Sequence, residues 1–295
     1  MGTMKDGLTR RIFVLGLCRN CANSLPALIK ILTELRITGS FDIQVIFGEN
    51  GSIDGTRELL ERAAQEKPWL AVVDTSFMAT ISERLARMAA GREALRKSLP
   101  DAKSDDVVIV LDTDLELACP LSVNNLSKAL AELDKPLTSG VCSYSVPFHY
   151  DILALRETEN SNNPALDFYR LKIDQHNLWS FTWRPFARFL KAISVSRMQR
   201  RLGTASGRKF FSAFNGLCIY HRALFDDASY IGTGVECEHV VLHTNMHRIS
   251  NGTIRVSSHI GVLAPPEYIS HPLPKAFAVA RKAVVHFFQF RSFIA

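Results

Sequence analysis

The sequence predicts an α/β fold: a mostly parallel sheet with helices on both faces, extended by a basic helical and loop insertion and an amphipathic C-terminal helix. Three observations predict it. Short apolar runs of strand length, at residues 11–17, 41–47, 70–74 and 107–111, alternate with stretches of helical periodicity. The first run is continuously apolar, as expected of a strand covered on both faces. The chain has 295 residues, of which 47% are hydrophobic and 22% charged, enough to bury one large core and too apolar for a disordered chain.

Each element follows from its residues. Arg11-Ile-Phe-Val-Leu-Gly-Leu17 supplies the first strand, and Asn23-Ser24-Leu25-Pro26 then starts a helix, with Ser24 or Asn23 as cap and Pro26 in the first turn. Leu25, Leu28, Ile29, Leu32 and Leu35 fall on one face of that helix, and Gly39 ends it. After the second strand (41–47), Asp54-Gly55-Thr56 opens a helix carrying Leu59, Leu60 and Ala63. A third strand covers 70–74, a long helix rich in Ala, Arg and Leu about 79–98, and a fourth strand 107–111. Strand–helix–strand units with right-handed crossovers place the strand C-termini along one edge, where open α/β sheets bind ligands.

The charge is uneven. Thirty-five Lys and Arg against 29 Asp and Glu give +6, yet no acid lies between Asp174 and Asp226, where nine bases occur, nor after Glu267, where four more follow. Without those thirteen, 22 basic residues face 29 acidic ones, a balance of −7. An acidic body with two basic segments implies an anionic partner. No recognised nucleic-acid motif accompanies the basic stretch, so a polynucleotide is not expected. No apolar run reaches the length of a membrane span, and residues 1–11 lack the apolar stretch of a secretory signal. Six scattered cysteines do not form a disulfide scaffold, and Cys18-x-x-Cys21 has no second pair to complete a zinc site. Reduced thiols and a cytoplasmic setting are expected.

Two polar strings end the second and fourth strands and converge on one crevice. Val108-Ile-Val-Leu-Asp112-Thr113-Asp114 runs an apolar strand into carboxylates at i and i+2, a spacing suited to a hard divalent ion that keeps sites open for phosphate oxygens. Glu49-Asn50-Gly51-Ser52-Ile53-Asp54-Gly55-Thr56 is the more specific string. An apolar strand, this string and a second strand ending in DxD 55–60 residues later resemble nucleotide-sugar glycosyltransferases of the GT-A fold. Phe214-Asn215-Gly216-Leu217-Cys218-Ile219-Tyr220, Glu236-Cys237-Glu238-His239 and Tyr150-Asp151-Ile152-Leu153-Ala154-Leu155-Arg156 further resemble the fungal capsule-associated α-1,3-mannosyltransferases and their bacterial relatives, over roughly residues 10–270.

The resemblance implies a single GT-A domain over 1–270, with a nucleotide-binding half (about 10–120), an acceptor half (about 121–270) and a basic insertion (about 176–212). It implies transfer of a mannose-like sugar from a GDP- or UDP-sugar to a glycan or lipid-linked acceptor, with retention of configuration favoured. Glu49 would contact base or ribose beside Asn50, and Asp54 would support the loop. Asp112 and Asp114 would hold Mn²⁺ or Mg²⁺ against the diphosphate, with His259, or in second place His271, as a late metal ligand. Asn215-Gly216 would lie beside the donor sugar. Glu238 would serve the acceptor, and Asp151 is a second acceptor-side carboxylate. A non-catalytic nucleotide- or glycan-binding protein of the same fold is the alternative from another class.

The basic segments carry aromatic residues. Trp179, Phe181, Trp183, Phe186 and Phe189 interleave with Arg184, Arg188 and Lys191, a composition suited to an anionic or membrane surface. Gly203-Thr-Ala-Ser-Gly-Arg-Lys209 has the glycines and bases of a mobile lid over a diphosphate. In the tail, 271–295, Phe277, Ala280, Val284, Phe287 and Phe288 form one face of an amphipathic helix, which would pack on its own domain, on a second copy in a homodimer, or peripherally on the inner face of a membrane.

Overall fold

Within β1 (Arg10–Cys18), Ile12 and Val14 face one side of the sheet and Phe13 and Leu15 the other, all buried. The same two-sided burial recurs in β4 (Val107–Asp112), where Val107, Ile109 and Leu111 alternate with Val108 and Val110. A strand packed on both faces has no polar side to show, which is why these runs read as continuously apolar. The computed structural model describes residues 10–103, 105–161, 193–233, 236–268 and 279.

The remaining elements are α1 (Leu25–Ile37), β2 (Phe41–Glu49), α2 (Thr56–Glu66), β3 (Leu70–Asp74), α3 (Arg84–Lys97), β5 (Glu116–Leu117), α4 (Val123–Leu133), β6 (Thr138–Val146), β7 (Lys209–Phe210), β8 (Leu217–His221), α5 (Arg222–Asp227), α6 (Glu238–Ser250) and β9 (Thr253–Leu263). They build one mixed α/β sheet in the order β3-β2-β1-β4-β8-β6-β9-β5, with β7 on β9. β3, β2, β1 and β4 are mutually parallel, and β6 is parallel to β9. β8 runs antiparallel between β4 and β6 and so joins the two halves. One face is covered by α1, α2 and α4, through residues such as Leu28, Leu60 and Leu126. The other is covered by α3, α5 and α6, through Ala89, Phe225 and Met246.

From β1 the chain crosses to β2 on one side, then to β3, and returns to β4 on the other side. β1 and β4 therefore flank a switch point, and an open crevice forms beyond their C-terminal ends. Two helix starts differ from the sequence expectation. Ser24 precedes α1, but its hydroxyl donates to the carbonyls of Cys21 (3.1 Å) and Thr113 (2.9 Å) rather than capping the helix. α3 begins at Arg84, after a 3₁₀ turn at Ser76–Thr80, because Glu83 accepts from the Ala86 amide at 2.7 Å and sets the start there.

The loop expected to be a mobile lid is fastened to the sheet. The Gly207 amide donates to the Val256 carbonyl (2.8 Å), the Val256 amide to Arg208 (2.9 Å), and Ala205 is buried in the core. Arg201 and Arg208 both pair with Glu157. Residues 193–202 are helical. The aromatic stretch at 179–191, His271 and the C-terminal amphipathic segment lie outside the described residues. Among the described residues no helix is long and apolar enough to cross a membrane.

Candidate active site

Hydrogen bonds between the loops after β1 and β2 shape one wall of the crevice. The Asn20 amide donates to Ser52 Oγ (3.1 Å), Ile53 N to Asn20 Oδ1 (2.9 Å), Cys21 N to Thr56 Oγ1 (2.9 Å) and Ala22 N to Asp54 Oδ2 (3.1 Å). Asp54 also accepts from the Thr56 hydroxyl and amide, and these bonds hold its carboxyl below the usual range against the upward push of partial burial. Glu49 is 1% exposed; it accepts from the Ser52 amide (2.6 Å) and pairs with Arg57, so it braces the loop from behind and does not line the cleft. Asn50 does line it, and its buried Oδ1 has no partner among the described residues. A buried amide acceptor at a cleft wall is a place for a ligand donor.

The opposite wall is the end of β4. Thr113 Oγ1 donates to the Leu17 carbonyl at 2.9 Å and so fixes the turn between two carboxylates that differ in setting. Asp114 is exposed and makes no side-chain hydrogen bond among the described residues. Asp112 accepts from Arg92 Nη2 (3.0 Å) and from the Tyr150 hydroxyl (3.4 Å). Burial raises its pKa, Arg92 pulls it back, and Asp114 adds to the rise.

Beyond Asp112 the cleft, about 450 Å³, is closed by Asp151, Glu238, His239 and Tyr268. Glu238 opens α6 and accepts from Arg92 Nε at 3.3 Å, while Cys237 Sγ lies 3.6 Å from its other oxygen. Asp151 is pushed up to about 7, by burial first and then by Glu238 and Asp112, with the Ala154 amide pulling the other way. Asn215 and Gly216 stand one layer back. Asn215 Oδ1 accepts from the amides of Tyr150 (3.1 Å) and Asp151 (3.3 Å), and the Gly216 carbonyl accepts from the Asp112 amide at 2.8 Å. Gly216 has φ +82°, and a Cβ there would stand 2.6 Å from the Tyr150 hydroxyl.

The structure thus brings Asn50, Asp112, Asp114, Asp151 and Glu238 into one cleft, with Glu49, Asp54, Asn215 and Gly216 behind its walls. His259 is not among them: it lies on β9 with Nε2 4.0 Å from Glu132 Oε1, away from the Asp112–Asp114 end. Cys18 and Cys21 are buried thiols outside any disulfide at the cleft edge, with Cys21 Sγ 3.6 Å from Thr113 Oγ1.

The residue that sequence reasoning missed is Arg92, which bridges Asp112 and Glu238 while 5% exposed. A signal was present. Leu85, Ala89 and Arg92 follow one another at i, i+4 and i+7, so a cation sits on the buried face of α3. Gly91, next to Arg92, leaves room for the end of the Met78 side chain, which a Cβ there would overlap. Arg19, Arg84 and Arg87 add further positive charge to the lining.

No cluster of three His, Cys, Asp or Glu side chains able to hold a metal occurs among the described residues. Two carboxylates, one free, still fit an ion that takes its other ligands from phosphate oxygens and water.

No family model matches the chain, and no curated protein matches it. Solved structures do resemble it. A mannosyltransferase from Pyrobaculum calidifontis, in complex with GDP-mannose and Mn²⁺, is 14% identical over 87% of this chain and 57% of its own, with TM-score 0.47. Residues 1–349 of S. aureus TarS are 12% identical over 88% and 62%, also at 0.47. Mannosyl-3-phosphoglycerate synthase from Rubrobacter xylanophilus is 14% identical over 93% and 74%, at 0.47. This chain therefore spans less than two thirds of the length of the first two, and the likeness is one of overall architecture.

Proposed function

We propose that this protein is a metal-dependent glycosyltransferase that moves a hexose, mannose-like, from a GDP- or UDP-sugar to a glycan or lipid-linked acceptor. The observation that carries the reading is the convergence, at the switch point of the sheet, of Asp112 and Asp114 with Asp151 and Glu238 around a single cleft walled by Asn50. Asp114, with Asp112, would hold Mn²⁺ or Mg²⁺; such an ion, when bound, neutralises charge on a departing diphosphate. Asn50 would accept a hydrogen bond from the nucleoside, and Arg19 and Arg87 suit the anionic part of the donor. Glu238 orients the acceptor. Asp151, its pKa raised to about 7 by burial and by Glu238 and Asp112, can take the acceptor hydroxyl's proton. Retention of configuration, the course the resemblance favours, would send that proton to a leaving-group oxygen instead.

The test is to incubate the protein with GDP- and UDP-sugars, with and without Mn²⁺, and follow donor hydrolysis and transfer by chromatography and the product anomer by NMR. Turnover that needs Mn²⁺ and disappears in Asp114→Ala is the expected result. Binding of donor with no turnover in any combination would replace this reading with a non-catalytic nucleotide- or glycan-binding protein.

A further inference from the structure

Arg92 is placed between carboxylates that belong to the two ends of the cleft. Its Nη2 donates to Asp112 Oδ1 at 3.0 Å and its Nε to Glu238 Oε1 at 3.3 Å. The guanidinium lies 5.3 Å from the centre of the Phe214 ring, which stacks in turn on His239 at 3.6 Å. At 5% exposure Arg92 has little access to water, so its charge is balanced by these two carboxylates. A planar guanidinium can serve both at once through different N–H groups, which a lysine ammonium could not do in the same geometry.

A shared counter-ion creates a link. Whatever engages Asp112 competes with Arg92, and whatever weakens Glu238 leaves Arg92 more firmly on Asp112. We propose that Arg92 is a positioning residue that couples the donor end of the cleft to the acceptor end: when Asp112 is drawn toward a cation, Arg92 turns its charge to Glu238 and fixes that carboxylate for the acceptor. The cation arm rests on the metal-dependent reading above, whereas the link between Asp112 and Glu238 does not. The link gives an order of events its physical basis, because Glu238 is held most firmly once the donor end is filled.

Two measurements on the full chain test this. The first is a thermal-denaturation cycle of Asp112→Asn, Glu238→Gln and the double variant. Each single change leaves Arg92 one partner, while the double change buries it unpaired, so the double variant should lose more Tm than the two singles together. Additive losses would overturn the proposal.

The second is calorimetric titration with Mn²⁺ alone at pH 8. Arg92→Met removes the competing cation and should tighten Mn²⁺ binding by about tenfold, within the usual range of site-to-site coupling, even as turnover falls; Arg92→Lys should lie between. Glu238→Gln should weaken Mn²⁺ binding, and it carries this arm if Arg92→Met fails to fold. A merely structural arginine would not tighten metal binding when removed. Unchanged affinity in a folded Arg92→Met, or in Glu238→Gln, overturns the proposal. Should the native protein bind no Mn²⁺ at all, the metal-dependent function falls and the denaturation cycle alone decides the role of Arg92.

Discussion

Asp112 and Asp114 lie two positions apart in a strand-to-turn string, yet they stand in different settings. Asp114 is exposed, so Asp114→Ala should abolish metal-dependent nucleotide binding while leaving the urea midpoint unchanged. Asp112→Ala strips buried Arg92 of one of its two carboxylate partners, with Glu238 remaining, and should also lower stability by about 1–3 kcal/mol. Calorimetry with Mn²⁺ and nucleotide beside urea unfolding separates the two. Asp151 gives a second prediction at this scale. Its folded pKa, raised to about 7, exceeds the ordinary carboxylate value, so the native state holds the proton more tightly than the unfolded one. Its contribution to stability therefore falls as pH rises from about 4 to about 7 and stays lost above. Asp151→Asn should be more stable than the native protein at pH 8 and not at pH 4, by urea unfolding. The native kcat/KM should rise with pH through about 7, and the variant should lose that limb together with roughly 10²-fold or more in rate. A flat native profile would assign the acceptor's proton to a leaving-group oxygen. Both carboxylates were legible as motifs. Arg92 does not stand out, because one arginine of four in a helix rich in Ala, Arg and Leu reads as solvated until its register against Leu85 and Ala89 is counted.

Strands packed on both faces announce themselves: β1, β2 and β4 fall within two residues of where the apolar runs place them, and so does β3, an edge strand in which only Leu70 is buried. β6 does not announce itself, for Ser139, Ser143 and Ser145 are all buried in it and break the apolar run. Such serines are tolerated in a core only when hydrogen-bonded, and Ser145 Oγ, for example, donates to the Phe148 carbonyl at 2.5 Å. The Glu49–Thr56 string was legible as a unit, but its division of labour was not: most of its polar groups bind backbone amides of neighbouring loops and one side chain, Asn50, reaches the cleft. The turn into β8 shows the same indirect logic. Gly216 must adopt φ +82° and must leave room for Tyr150, whose hydroxyl faces Asp112. Gly216→Ala should therefore lower stability by roughly 1–3 kcal/mol through backbone strain alone. It should also displace Tyr150 and weaken nucleotide binding, which urea unfolding and fluorescence titration would show together.

At the scale of the whole molecule, seven of the thirteen bases in the two acid-free segments lie outside the described residues. Within the acid-free stretch, Arg201 and Arg208 are paired with Glu157, and Arg222 with Asp226 at 2.7 Å, so much of the described basicity is answered inside the fold. Among the described residues, the positive charge that lines the cleft comes from Arg19, Arg84, Arg87 and Arg92, outside those segments. Those residues reach the cleft from the loop after β1 and from α3, and the cleft's other walls come from β4, from the loop after β6 and from α6. A ligand seated there touches residues from several elements packed on one continuous sheet, so its binding free energy should appear in the cooperative unfolding of the chain. At a hundred times its Kd, a ligand confined to the native state adds about 2.7 kcal/mol. For a chain of this size that corresponds to a rise of roughly 4 °C in Tm. A GDP- or UDP-sugar with Mn²⁺ should produce this shift and the same nucleotide with EDTA a smaller one, with the difference disappearing in Asp114→Ala. A shift indifferent to Mn²⁺ would place the nucleotide on the arginines and Asn50 alone and remove the carboxylates of β4 from donor binding.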